Sequence, residues 1–155
     1  MITIDGKCAP MNPGGIAIWG FVLHINGNTV KRSGLACRPF DPEATNNVAE
    51  YIALIRALQF CIQDHLETLP ITIKSDSQLM MRHLAALAKN NTIIVRANHT
   101  IATVKSAKLR PLFVNVTHLL QHFTNVTLLW ARHSETFEAH NLCEEFYQSY
   151  EYRRT

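Results

Sequence analysis

Two strand-like runs, Ile16 to Ile25 and Thr29 to Ala36, are separated by the dipeptide Asn26-Gly27. Asn-Gly between apolar runs is a strong hairpin signal, because both residues accept the positive φ that a type I′ turn needs. The two runs are therefore expected to lie side by side and antiparallel, and the rest of the chain must complete a sheet around them. Ahead of them, Ile2 and Ile4 alternate with polar residues and stop at Asp5-Gly6, which reads as a strand leading into a turn with Asp5 at its exit. A loop of small and turn-forming residues, Lys7 to Gly15, joins that strand to the hairpin, and Arg38-Pro39-Phe40-Asp41-Pro42 leads out of it.

The longest helical pattern opens at Ala44-Thr45-Asn46-Asn47-Val48-Ala49-Glu50. From Val48 the apolar positions Val48, Tyr51, Ile52, Ile55, Leu58 and Ile62 fall three and four apart, which marks one buried stripe ending near His65. On local chemistry alone Asn47 caps this helix, and Glu50, three residues on, closes a capping box. Ile71 to Asp76 is a short strand finishing on a carboxylate, and a helical pattern resumes at Ser77. Leu109 to Phe123 is helical, Val126 to Trp130 a strand, and Glu138 to Tyr150 a last helix. Residues 90–105 give mixed signals and read as a strand-like excursion or an inserted protrusion. A meander of three strands followed by alternating strands and helices describes one α/β domain, residues 1–155, with a mixed five-stranded sheet and helices on its faces.

Composition excludes several classes. A hydrophobic share of 47% with 17% charged residues suits a soluble globule. The sequence has no apolar run long enough to span a bilayer, and its N-terminus reads as the first strand, not as a leader. Cys8, Cys37, Cys61 and Cys143 share no metal-ligand spacing, so reduced thiols in a cytoplasmic protein are expected. The net charge of +3 is unevenly spread. Between Ser77 and Ser134 there is no Asp or Glu, while Arg82, Lys89, Arg96, Lys105, Lys108, Arg110 and Arg132 all lie within. Such a segment suits a polyanionic partner through Coulomb attraction and counterion release, and equally a merely solvated basic face. His118 and His122 stand four apart, a metal-compatible spacing, with no third ligand evident.

The acidic residues carry the sharper signal. In this reading Asp5 and Asp76 end strands and Glu50 opens a helix. In an open α/β sheet the carboxyl ends of strands share an edge with the adjoining helix starts, and ligands bind there. If the strands of Asp5 and Asp76 are parallel neighbours, three carboxylates meet. Their mutual repulsion is relieved by hard divalent cations, and Mg²⁺ suits oxygen ligands and phosphate oxygens.

Taken in order, Ile4-Asp5-Gly6-Lys7-Cys8, Asn12-Pro13-Gly14-Gly15, Thr45-Asn46-Asn47-Val48-Ala49-Glu50, Ser75-Asp76-Ser77-Gln78 and Trp130-Ala131-Arg132-His133 resemble the motifs of ribonuclease H type 1. The likeness is to the compact kind found in archaea and some bacteria, and it covers nearly the whole chain. It implies hydrolysis of the RNA strand of an RNA–DNA hybrid, with 5′-phosphate and 3′-hydroxyl products and two Mg²⁺ or Mn²⁺ ions. By motif match Asp5 bridges both ions, and Glu50 and Asp76 hold the one at the leaving group. Asn46, Asn47 and Gln78 reach the minor groove, and Ser77 and the backbone near Cys8 touch ribose 2′-hydroxyls. Thr45 and Asn12 cradle a phosphate of the DNA strand, beside their ordinary turn and cap chemistry.

One position departs from that family. Its fourth ligand is an aspartate opening the last helix, and this chain has Glu138-Ala139-His140-Asn141-Leu142-Cys143, with His140 in that place. A lone histidine at a helix start reads as structural, whereas in this register it reads as a ligand. Argonaute slicers, which look like distant relatives in fold, can use a histidine there. Nitrogen ligation and the loss of one negative charge shift the expected preference from Mg²⁺ toward Mn²⁺. His133, seven residues earlier, is an auxiliary candidate for proton transfer, or for a phosphate or loop contact. The alternatives are a hybrid-binding protein that has lost catalytic power, or another nuclease on the same fold. The default is a monomer that binds hybrid and no membrane.

Overall fold

In the computed structural model, which describes residues 1–88, 92–95 and 101–154, β1 (Ile2–Ala9) pairs antiparallel along its whole length with β2 (Ile16–Ile25). Asn26 and Gly27 adopt φ of 50° and 78°, the left-handed pair required by a type I′ turn, and β2 returns as antiparallel β3 (Asn28–Leu35). Then follow α1 (Asn46–Gln63), β4 (Ile71–Ser75) and α2 (Gln78–Leu84) with a 3-10 turn at Ala85–Leu87. β5 (Thr92–Val95), α3 (Leu109–Leu120), β6 (Val126–Trp130), a 3-10 turn at His133–Glu135 and α4 (Phe137–Arg154) complete the chain.

The sheet order is β3-β2-β1-β4-β6-β5. The expected mixed sheet is thus present as a three-stranded antiparallel meander joined to parallel β4 and β6. β5 extends it by one short edge strand, parallel to β6. It comes from the segment read as an excursion or insertion, and residues 89–91 and 96–100, including Lys89 and Arg96, lie outside the described residues.

Helices cover both faces. α1 packs on β1, β2 and α3, and α4 packs on β1, β2 and β3 from the other side. The main core joins Ile2, Ile4, Phe21 and Leu23 to Tyr51, Leu54 and Leu58 of α1 and to Val116 and Leu120 of α3. A smaller one sets Ile16 and Ile18 against Cys143, with Phe146 and Tyr147 beside them. Alternation along β2 explains the split, since successive side chains point to opposite faces.

Two local expectations are corrected. Asp5 does not end a strand, because β1 runs on to Ala9. Gly6 pairs with Trp19 inside the ladder, and a Cβ on it would lie 2.4 Å from the Glu50 amide nitrogen. This glycine serves the close approach of α1 and forms no turn. The parallel pairing of β1 with β4 does stop at Thr3↔Lys74, so Asp5 still sits at the rim where β4 ends. The second correction concerns the cap of α1. Thr45 takes that role, its Oγ1 accepting from Val48 N at 3.1 Å, and neither Asn47 nor Glu50 forms the expected capping box.

Candidate metal centre

Three elements deliver the acids to one point. Asp5 stands on β1, Asp76 directly follows β4, and Glu50 comes from the first turns of α1, brought against β1 by Gly6. One oxygen from each of Asp5, Glu50 and Asp76 lies within 4.8 Å of the others. Asp76 is steadied by its own carbonyl, which accepts from Trp130 Nε1 at 3.2 Å.

Two histidines close the group from the far side. His140 Nδ1 is 3.1 Å from Asp5 Oδ2, and His133 Nδ1 is 3.1 Å from Asp76 Oδ2. Their rings pack edge to face with centroids 4.4 Å apart. His140 therefore faces the acids, as a fourth ligand must, but it joins them through Asp5 and stands outside the tight triad. A cleft of about 330 Å³ is lined by the three acids, both histidines, Lys7 and Asn46 among others.

The electrostatics are those of a site built for a positive charge. Asp5 is 4% exposed and Glu50 8% exposed. Burial first, then the Asp5 and Asp76 charges, push the Glu50 carboxyl well above its usual range, and burial followed by Asp76 raises Asp5. Glu50 Oε2 is buried without a hydrogen-bond partner among the described residues, a costly state for a charged oxygen. A divalent cation between these oxygens removes both penalties. The donor set of three carboxylates and one imidazole suits such an ion.

Of the remaining residues singled out in the sequence, Cys8 and Asn46 line the same cleft, and several of the others are engaged in local hydrogen bonds. Asn46 Oδ1 accepts from the Cys8 amide at 2.7 Å, and the Asn46 amide donates to Asn12 Oδ1 at 3.1 Å. Cys8 Sγ is buried and donates to the carbonyls of Met11 and Ala44. These bonds tie the loop after β1 to the start of α1. Asn47 and Gln78 are exposed, and Ser77 caps α2 by accepting from Met80 N at 3.2 Å. Thr45, Asn47 and Leu79 also border a second hollow of about 640 Å³, which Lys105 and Lys108 line as well. His118 and His122 belong to no metal-like cluster among the described residues. Sequence reading misses Glu144, whose Oε1 is 3.9 Å from His140 Nε2 and which is held by Lys7 Nζ. Its spacing of four from His140 is the available signal.

The chain matches the family model described as reverse transcriptase-like over residues 22–146. Among solved structures it is similar to RNase H1 of the halophilic archaeon Halobacterium salinarum, with a TM-score of 0.71, 23% identity and 96% of each chain covered. It is likewise similar to LC11-RNase H1 in complex with an RNA/DNA hybrid, with a TM-score of 0.71, 27% identity and 93% of each chain covered. The N-terminal RNase H domain of a Mycobacterium tuberculosis protein gives a TM-score of 0.70 at 21% identity, over 99% of this chain and 98% of that one.

Proposed function

This chain belongs to the reverse transcriptase-like family and, within it, to ribonuclease H type 1, and from that premise we propose that it is an endonuclease cutting the RNA strand of RNA–DNA hybrids. The observation that carries the reading is the meeting of Asp5, Glu50 and Asp76 within 4.8 Å, with His140 on Asp5. These four side chains would hold two divalent cations. Once bound, such ions supply an activated water for in-line attack and charge stabilisation at the leaving 3′-oxygen, giving 5′-phosphate and 3′-hydroxyl ends.

The chain's own groups do the rest. Asp5, in reach of both the His140 imidazole and the other two acids, would be the ligand common to both ions. Glu50 and Asp76 would hold the ion that stabilises the leaving group. His133, bonded to Asp76, orients that carboxylate and offers its other ring nitrogen to a phosphate. Asn46, Asn47 and Gln78 would make the minor-groove contacts, and Ser77 would meet a ribose 2′-hydroxyl, the group that distinguishes RNA from DNA. The Cys8 amide serves indirectly by holding Asn46. Thr45 and Asn12 frame a seat for a DNA-strand phosphate. Imidazole in place of a carboxylate favours Mn²⁺ over Mg²⁺. The four free thiols fit a reducing cytoplasm.

The test is incubation of labelled hybrid, duplex DNA and duplex RNA with Mg²⁺ or Mn²⁺, beside Asp76→Asn and His140→Ala. Cutting confined to the RNA strand of the hybrid, faster in Mn²⁺ and abolished in Asp76→Asn, supports the reading. Hybrid binding without cleavage in Mn²⁺ marks a binding protein instead.

A further inference from the structure

We propose that Glu144 is a positioning residue for His140, accepting the proton on Nε2 so that the Nδ1 lone pair is free to face the cation site. The proposal rests on His140 being a ligand, as in the reading above. Neutral imidazole has one N–H and one lone pair. A ligating nitrogen needs the lone pair, so the proton must sit on the far nitrogen, where ligating histidines commonly donate it to a carboxylate, a carbonyl or water.

Asp5 by itself favours the wrong tautomer, because its oxygen 3.1 Å from Nδ1 rewards a proton there. Glu144 provides the opposing acceptor. Its Oε1 lies 3.9 Å from Nε2, and among the described residues it is the carboxylate within ion-pair reach of that nitrogen. One helical turn separates the two residues, so they share a face of α4. Lys7 of β1 fixes Glu144 from the other side, with its ammonium 5.1 Å from the centre of the Tyr147 ring. Both His140 and Glu144 are about two-thirds buried, at 32% and 33% side-chain exposure, so the pair is partly shielded from water. Closing 3.9 Å to a hydrogen bond requires a shift of about 1 Å. The long, flexible Lys7 ammonium can follow that shift. The His133 ring packed against His140 limits rotation of the imidazole in the other direction.

The experiment measures Mn²⁺ affinity by calorimetry without nucleic acid, and the His140 tautomer by NMR of its ring nitrogens in Mg²⁺. It compares the unaltered chain with Glu144→Ala, Glu144→Gln, His140→Ala and Asp76→Asn, and Asp76→Asn is assayed in parallel for cleavage of labelled hybrid in Mn²⁺. The expected result is an Nε2–H tautomer in the unaltered chain and a loss of about 10–100-fold in Mn²⁺ affinity for Glu144→Ala. Glu144→Gln, whose amide oxygen still accepts, should recover part of that loss. An affinity for Glu144→Ala within about twofold of the unaltered chain, or an Nδ1–H tautomer in the Mg²⁺-loaded unaltered chain, overturns the proposal. The tautomer is read without any variant, so a Glu144→Ala chain that fails to fold leaves the test intact. Unchanged affinity in Glu144→Ala beside an inactive Asp76→Asn removes only the role of Glu144. Normal cleavage by Asp76→Asn removes the metal-nuclease reading itself.

Discussion

At the scale of single residues the dominant fact is a buried acid, Glu50, one of whose oxygens has no hydrogen-bond partner among the described residues. Burial and two neighbouring acids raise the Glu50 carboxyl, and burial with Asp76 raises Asp5, so the folded, metal-free chain holds more protons than the unfolded one between the ordinary and the raised values. Stability then falls as pH rises through that window and is greatest on its acid side. Glu50→Gln should therefore raise the melting temperature of the metal-free protein at neutral pH. The gain is on the order of 1–3 kcal/mol, with each kcal/mol worth roughly 2–4 °C at this size. On the proposed two-metal reading the same change should cut cleavage of hybrid by at least about a hundredfold, since it would remove a ligand and not merely its support. Thermal melts in chelator from pH 4 to 8, beside a cleavage assay, check both. Saturating divalent cation should flatten the pH dependence, because it binds the folded state alone. Asp5, Glu50 and Asp76 are legible in the sequence because each stands in its own short motif. Glu144 is not, since an acid in a helix with several others looks like solvated surface until the fold turns it toward His140.

At the scale of elements the site depends on how closely β1 and α1 approach. A Cβ on Gly6 would sit 2.4 Å from Glu50 N and 2.5 Å from the Ala49 carbonyl carbon, both backbone atoms that cannot step aside. Gly6→Ala should cost about 1–3 kcal/mol or more and depress cleavage further than stability alone explains, because it drives Glu50 from Asp5. Melting temperature and the maximal cleavage rate measured together separate the two effects. The same packing explains why the run of β1 beyond Asp5 is hidden in the sequence. A glycine beside an aspartate signals a turn, and only the packed helix reveals its other use. By contrast Asn26-Gly27, β2 and β6 are readable because their signals are local. A second junction pins α2 to α1, where the buried Tyr51 hydroxyl lies 2.7 Å from His83 Nδ1. Burial lowers the His83 pKa from 6.5, so the unfolded chain protonates first and this part of the stability is lost as pH falls below about 6.5. Tyr51→Phe should cost about 1–2 kcal/mol, and His83→Gln should lessen the acid sensitivity, both measurable by denaturant melts at pH 5 and 7.5.

At the scale of the whole molecule, the three acids of the triad and the lysines of the larger hollow occupy separate places. The acids that matter meet at the rim of β1 and β4. The carboxylate-free stretch from Ser77 to Ser134 supplies β5, α3 and β6 together with a wall of the hollow that Thr45 and Asn47 border. Lys105 and Lys108 stand on that wall, and Lys108 is partly neutralised by Glu43 at 3.4 Å. On the proposed reading, a hybrid that crosses from the acids over the start of α1 would meet these lysines next, and a net charge of only +3 would act as a directed field. Deleting 90–105 is a poor test of this arrangement, because Thr92–Val95 is a sheet strand and its removal would bare the edge of β6. Neutralising Lys89, Arg96 and Lys105 to Gln leaves the strand in place. If that segment grips the hybrid, affinity measured across a salt series in Ca²⁺ should show a shallower dependence, by about 0.7–0.9 in log–log slope for each phosphate that the variant no longer neutralises. The Mn²⁺ affinity of the free protein should stay unchanged. A slope that does not move would assign the grip to Lys108, Arg110 and Arg132, and 90–105 would then be an edge strand and its connections with no hold on the substrate.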